Sequence, residues 1–165
     1  MTGVQTCALP ILSLQGNTLL LFQYVDKHGK VLYDNIKLLA PDRNIFFISG
    51  EIDGEERERI RKAVEEEKNA IIVASTGTFS TGVNIKNLHN IIFSSPSKSR
   101  IKNLQSIGRV LRKSDSKTHS VLYDIADDLT WKNRKNFTIL HFMERVKIYN
   151  EEKFNYKIFN VSIKP

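Results

Sequence analysis

The segment from Gln105 to Lys113, QSIGRVLRK, spaces a glutamine and two arginines at i, i+4 and i+7. On a helix that spacing aligns Gln105, Arg109 and Arg112 on one stripe. Ile101, Leu104, Gly108 and Leu111 then form an adjacent apolar or small stripe. One stripe would pack, and the other would hold fixed cations toward a ligand. Guanidinium is planar, always charged and able to donate two parallel hydrogen bonds, a geometry lysine does not supply. Read alone, the segment also fits solvated arginines on an exposed helix.

A second stretch, Ser75 to Asn84 (STGTFSTGVN), follows the apolar run AIIVA. Gly77 and Gly82 permit tight turns and close backbone approach. Ser75, Thr76, Thr78, Ser80 and Thr81 supply hydroxyls and backbone amides suited to phosphate oxygens. A Ser/Thr-rich turn without a ligand is the alternative for this loop taken alone.

The elements that must position these groups alternate between short apolar runs and amphipathic stretches, the pattern of a parallel sheet with crossover helices. Strands are expected at Thr18–Gln23, Asn44–Ser49, Ala70–Ala74, Asn90–Phe93 and Ser120–Ile125. Helices are expected at Asp26–Leu39, Asp53–Lys68 and Ser99–Arg112. In the first of these, Val31, Leu32, Ile36 and Leu39 are spaced for one face, and Pro41 closes the helix. A long terminal helix is expected near Trp131–Tyr149, with an edge strand at Lys157–Ile163. Loops after the strands' carboxyl ends form the default ligand edge of such a sheet.

At 165 residues the chain is long enough for one domain with a real core and too short for two ordinary ones. Its hydrophobic fraction of 41% contains no run approaching the roughly 18 residues of a spanning helix, which argues against a membrane protein. A net charge of +7 favours a polyanionic partner. A single cysteine, Cys7, excludes an internal disulfide and a multi-cysteine zinc site, and fits a reducing cytoplasm.

Taken in order, the stretches carry a family resemblance. A strand, then STGTFSTGVN, then a strand, then a helix bearing Q-x-x-G-R-x-x-R resembles motifs V and VI of superfamily 2 helicases, in particular the UvsW-type DNA helicases of T-even-like phages. TLLLFQYVDKHGKVLYDNI is similar to motif IV, FFISGEIDGEERERI to the segment that follows it, and VLYDIADDL to the strand after motif VI. The resemblance implies an α/β fold: the second RecA-like domain of a two-domain motor, a parallel sheet with helices on both faces.

It also implies roles. Arg112 would be the arginine finger and Arg109 a second γ-phosphate or closure-sensing contact, with Gln105 orienting nucleotide or the motif V loop. Gly82 and Asn84 would couple nucleotide to the track, although Asn84 stands where aspartate is frequent. Ser75, Thr76 and Gly77 would meet the DNA backbone, as would Gly50 and the loop of His28 and Gly29. Lys98, Arg100 and Lys102 would extend the basic surface. The implied cofactor is ATP, with Mg²⁺ held mainly by an N-terminal RecA-like domain. The implied partners are that domain and forked, branched or single-stranded DNA, in the cytoplasm of a bacterial host.

The chain contains no G-x-x-x-x-G-K-[ST] phosphate loop and no D-E-x-H-type magnesium motif, so it is expected to be inactive toward ATP by itself. Residues 1–11 resemble a translated library adaptor, which would make 12–165 the domain proper. Two other readings are a different superfamily 2 motor, either a restriction translocase or an RNA helicase, and a free-standing nucleic-acid-binding module. A small-molecule-binding α/β domain is a third. His89, His119 and His141 lack metal spacing. Asp124, Asp127 and Asp128 read as capping or solvated groups, and Trp131, Phe137, Phe142 and Tyr149 as core.

Overall fold

The computed structural model of the chain describes residues 11, 13–82, 84–94, 99–110 and 119–161. Five parallel strands form one sheet in the order β2-β3-β1-β4-β5. They are β1 (Thr18–Phe22), β2 (Ile45–Ile48), β3 (Ile71–Ser75), β4 (Asn90–Phe93) and β5 (Val121–Asp124). The three central strands are buried along their whole length, which is why they read as unbroken apolar runs rather than alternating ones.

Alternate residues of each strand feed two cores. Leu19, Leu21, Ile72, Ala74, Ile91 and Phe93 meet Ile60, Val64, Ile107 and Tyr149 on one face. Leu20, Phe22, Ile71, Val73 and Ile92 meet Ile11, Leu14, Leu32 and Ile36 on the other. Helices therefore cover both faces, as a RecA-like domain requires. Ile11 is buried, and its carbonyl accepts from the Arg43 guanidinium, which also bonds the carbonyls of Leu14, Gly16 and Asn69. Ile11 and Leu14 are thus docked onto the sheet.

Helix α1 (Lys30–Leu39) is entered through a π-helical turn, Val25–Gly29. Leu32 and Ile36 are its buried residues, while Val31 and Leu39 face water, so the expected apolar face is narrower than four residues. Helix α2 (Gly54–Glu66) starts where the Asp53 carboxylate accepts from the Glu56 amide at 2.8 Å.

Four expectations are corrected. The loop after β3 is largely a short helix, α3 (Thr76–Gly82), because the Ser75 hydroxyl caps it by accepting from the Thr78 amide at 3.2 Å. Helix α4 (Arg100–Val110) buries Asn103, Ser106 and Ile107, whereas Gly108 is exposed and Leu104 half-buried, so the packed stripe is rotated from the one expected. The terminal helix α5 spans Phe137–Glu151 and begins six residues later than Trp131. Lys132 (φ 44°) and Asn133 (φ 65°) lie in the left-handed region, so Trp131 and Arg134 close a tight turn that no helix can include. Residues 157–161 form no strand, residues 162 and 163 lie outside the described residues, and among the described residues β5 is an edge of the sheet.

Candidate nucleotide and nucleic-acid interface

The loops after β1, β2 and β3 leave the carboxyl edge of the sheet side by side. Ser75 ends β3 buried, and its hydroxyl donates to Thr78 Oγ1 at 2.7 Å. Thr76 Oγ1 donates to the Phe22 carbonyl at 2.9 Å, tying the start of α3 to the end of β1. Both hydroxyls serve the fold, so what the turn can offer a phosphate is chiefly backbone. Gly77 is exposed and a Cβ there would meet nothing within 4 Å, so a ligand can approach the main chain. Gly50, after β2, is also exposed, and its nearest neighbour for a Cβ is Thr78 Oγ1 at 3.8 Å.

At the end of β1, Gly29 is buried, and a Cβ would stand 2.5 Å from the Phe22 ring. This corrects its expected place among nucleic-acid contacts: glycine is needed there for close packing. His28 beside it is half-buried. Burial pulls its imidazole below the ordinary histidine pKa, and the Asp127 carboxylate opposes that shift. His28 therefore lies within electrostatic reach of the segment that leaves β5.

Helix α4 packs against α3, which brings the arginine helix beside the glycine turn. Gln105 is exposed on α4, and Arg109 follows one turn later on the same stripe. Gly82 ends α3, and Asn84 is exposed just beyond it. The Arg109 side chain, Arg112 and Lys98 lie outside the described residues.

Arg100 is half-exposed and already paired. Its Nη1 donates to Glu151, and its Nη2 to Glu152 at 2.7 Å, which ties the start of α4 to the end of α5. Those carboxylates raise its pKa and compete with any phosphate for the guanidinium.

Sequence reasoning missed a buried polar anchor. Asp124, at the end of β5, accepts from Arg145 Nε at 2.7 Å and Nη2 at 2.6 Å, and from the Tyr149 hydroxyl at 2.7 Å. Arg145 is 0% exposed. Burial and the Asp124 carboxylate together push the Tyr149 phenol well above its ordinary pKa. The available signal was an arginine at a core-facing position of α5, four residues before Tyr149. The aromatic assignments divide: Tyr149 is core, whereas Trp131 is 72% and Phe137 79% exposed.

This sheet order, with an arginine helix and a glycine turn in contact at one end, defines a RecA-like second helicase domain. The chain belongs to the helicase conserved C-terminal domain family, whose profile matches residues 5–114. It is 36% identical over 166 residues to the ATP-dependent DNA helicase uvsW of Enterobacteria phage T4, covering 94% of this chain and 32% of that protein. The crystal structure of T4 UvsW superposes with a TM-score of 0.75 at 36% identity, over 94% of this chain and 33% of that one. Domain 2 of the DEAD-box helicase Mss116p, bound to an RNA duplex, shares the fold alone: TM-score 0.62 at 15% identity, over 76% of this chain and 52% of that one. The chain spans about a third of the length of the phage helicase it matches. Among the described residues no helix is long and apolar enough to cross a membrane.

Proposed function

We propose that this chain is the C-terminal motor domain of an ATP-dependent DNA helicase or translocase, working with an N-terminal RecA-like domain in the host cytoplasm on forked or branched DNA. The observation that carries the reading is the contact between α3 and α4 at the carboxyl edge. It puts the exposed Gly77 beside the helix that bears Gln105 and Arg109.

Phosphoryl transfer leaves little covalent work for a protein, so its contribution is position and charge. Arg112 would donate to the γ-phosphate oxygens across the interdomain cleft as charge develops on them. Arg109 would make a second contact that forms only when the domains close. An arginine in that position is worth about 10³ to 10⁵ in rate. Gln105 would orient the nucleotide or the turn before Asn84, and Gly82 would let that turn move with domain closure. ATP, with Mg²⁺ on the partner domain, supplies the energy of closure. The Gly77 and Gly50 backbones, with His28 and Lys98, would follow DNA phosphates, and Ser75 and Thr76 would hold that edge in shape. Such contacts carry no sequence information, so binding is expected to tolerate any sequence and fall steeply with salt.

The test is Arg112→Ala and Arg112→Lys in a protein carrying both motor domains. DNA-stimulated ATP hydrolysis is expected to fall at least a hundredfold in both, with DNA affinity retained. Undiminished hydrolysis in either variant would remove the finger assignment.

A further inference from the structure

The turn between β5 and α5 has no role in the reading above, yet it is built with unusual care. Trp131 and Arg134 exchange both backbone hydrogen bonds, at 3.1 and 2.9 Å. The two residues between them, Lys132 and Asn133, both have positive φ, the signature of the tightest hairpin turn. Asparagine tolerates that conformation, but lysine adopts it at a steric cost. No burial offsets the cost, because Trp131 stands largely in water.

The turn is also braced from behind. Asn136 accepts from the Leu129 amide at 3.0 Å and donates to the Asp127 carbonyl at 2.9 Å. Thr138 Oγ1 donates to the same carbonyl at 2.6 Å, and Asp128 accepts from the Thr130 amide at 3.0 Å. The exposed indole is thus carried on a braced backbone.

Its surroundings are cationic. Lys132, Arg134 and Lys135 flank it, and no acidic residue occurs from Leu129 to Met143. None of the three cations is in an ion pair among the described residues, and Lys132 Nζ lies 5.7 Å from the Trp131 ring centroid. Asp127 and Asp128 are the nearest acids in sequence; Asp128 accepts from Thr130 and stays charged within electrostatic reach of Lys135, so Lys132 and Arg134 are the freer cations. An exposed aromatic face interleaved with cations outside any ion pair suits a ligand that alternates flat bases with phosphates.

Position agrees. The segment leaves the carboxyl end of β5, the edge at which Gly77, Gly50 and His28 lie, and the Asp127 carboxylate at its root acts on His28. We propose that the Trp131–Arg134 turn is a single-stranded nucleic-acid contact, with Trp131 stacking on one unpaired base and Lys132, Arg134 and Lys135 meeting the adjoining phosphates. This rests on the nucleic-acid track proposed above and adds to it a contact that distinguishes unpaired from paired strands, since a base inside a duplex presents no free face.

Trp131 is the only tryptophan in the chain, so its own emission reports the contact. The chain would be titrated with short oligothymidylate, oligouridylate and a blunt duplex, following Trp131 emission together with the anisotropy of end-labelled strands. The expected result is quenching by the single strands and not by the duplex, with the DNA and RNA arms showing whether the sugar matters. Trp131→Ala should weaken single-strand binding about 5- to 150-fold, and Trp131→Phe should restore most of it. Because the side chain is exposed, neither substitution threatens the fold. Anisotropy that rises with unchanged Trp131 emission, and an affinity indifferent to Trp131→Ala, would overturn the stacking contact while leaving the track intact. Absence of any salt-sensitive binding would overturn both.

Discussion

Arg145 and Asp124 show how one buried pair fixes the last helix on the sheet. Asp124 has three donors, but Arg145 Nη1 is buried without a hydrogen-bond partner, so the pair is well made on one side and incomplete on the other. Removing one member leaves an uncompensated buried charge, so Asp124→Ala is expected to cost about 3–5 kcal/mol, read as a lower urea midpoint. The double variant Asp124→Leu/Arg145→Met should lie close to the parent, because it removes both desolvation costs at once. A double variant as unstable as the single one would mean that the polar geometry itself, and not charge balance, holds α5 in place. At His28 the consequence is a pH dependence. Its folded pKa is depressed, so the unfolded chain binds the proton more readily. Its contribution to stability is complete above the unfolded value of 6.5 and declines as pH falls through the lower folded value. His28→Gln should flatten the stability profile in that window, measured as urea midpoints across pH 5 to 7.

Among the elements, two glycines at the same sheet edge make opposite demands. Gly29 meets the Phe22 ring, and Gly29→Ala would force the π-helical turn away from β1, at a cost of about 1–3 kcal/mol. Gly77 has open space around it within α3, so Gly77→Ala should leave the melting temperature unchanged or slightly raised, alanine being the better helix former by about 1 kcal/mol. If the Gly77 backbone lies on the DNA track, the same variant weakens DNA binding while keeping its stability. Equal DNA affinity in a stable Gly77→Ala protein would take that turn off the track. The ion pairs of half-buried Arg61 with Glu58 and Glu65 lie along α2, away from both glycines.

For the whole molecule, the charge of +7 predicts binding governed by counterion release. A plot of log affinity against log salt for single strands should be linear, with a slope of about −0.7 per phosphate contacted. Substituting Lys132, Arg134 and Lys135 together by alanine should shallow that slope by about two. Hydrolysis of ATP should require an added motor domain, because the phosphate loop is not in this sequence.

The amino-acid sequence by itself determined the parallel sheet, its strand sequence in the chain and the family. Central strands buried on both faces must be continuous apolar runs, and motif residues recur at spacings that helices and turns dictate. It also placed Gln105 and Arg109 on the helix that carries them. What only the tertiary structure decided depends on distant neighbours. Gly29 is a packing residue because Phe22 lies beneath it, and Arg100 is paired because the end of α5 reaches it across some fifty residues of chain. Asp124 is an anchor because Arg145 and Tyr149 arrive beside it. Trp131 lies outside the core because two residues of positive φ turn the chain before α5 begins. Local sequence encodes periodicity and turn chemistry, but it does not encode which side chain will stand opposite, and that is what separates a contact with a ligand from a contact with the fold.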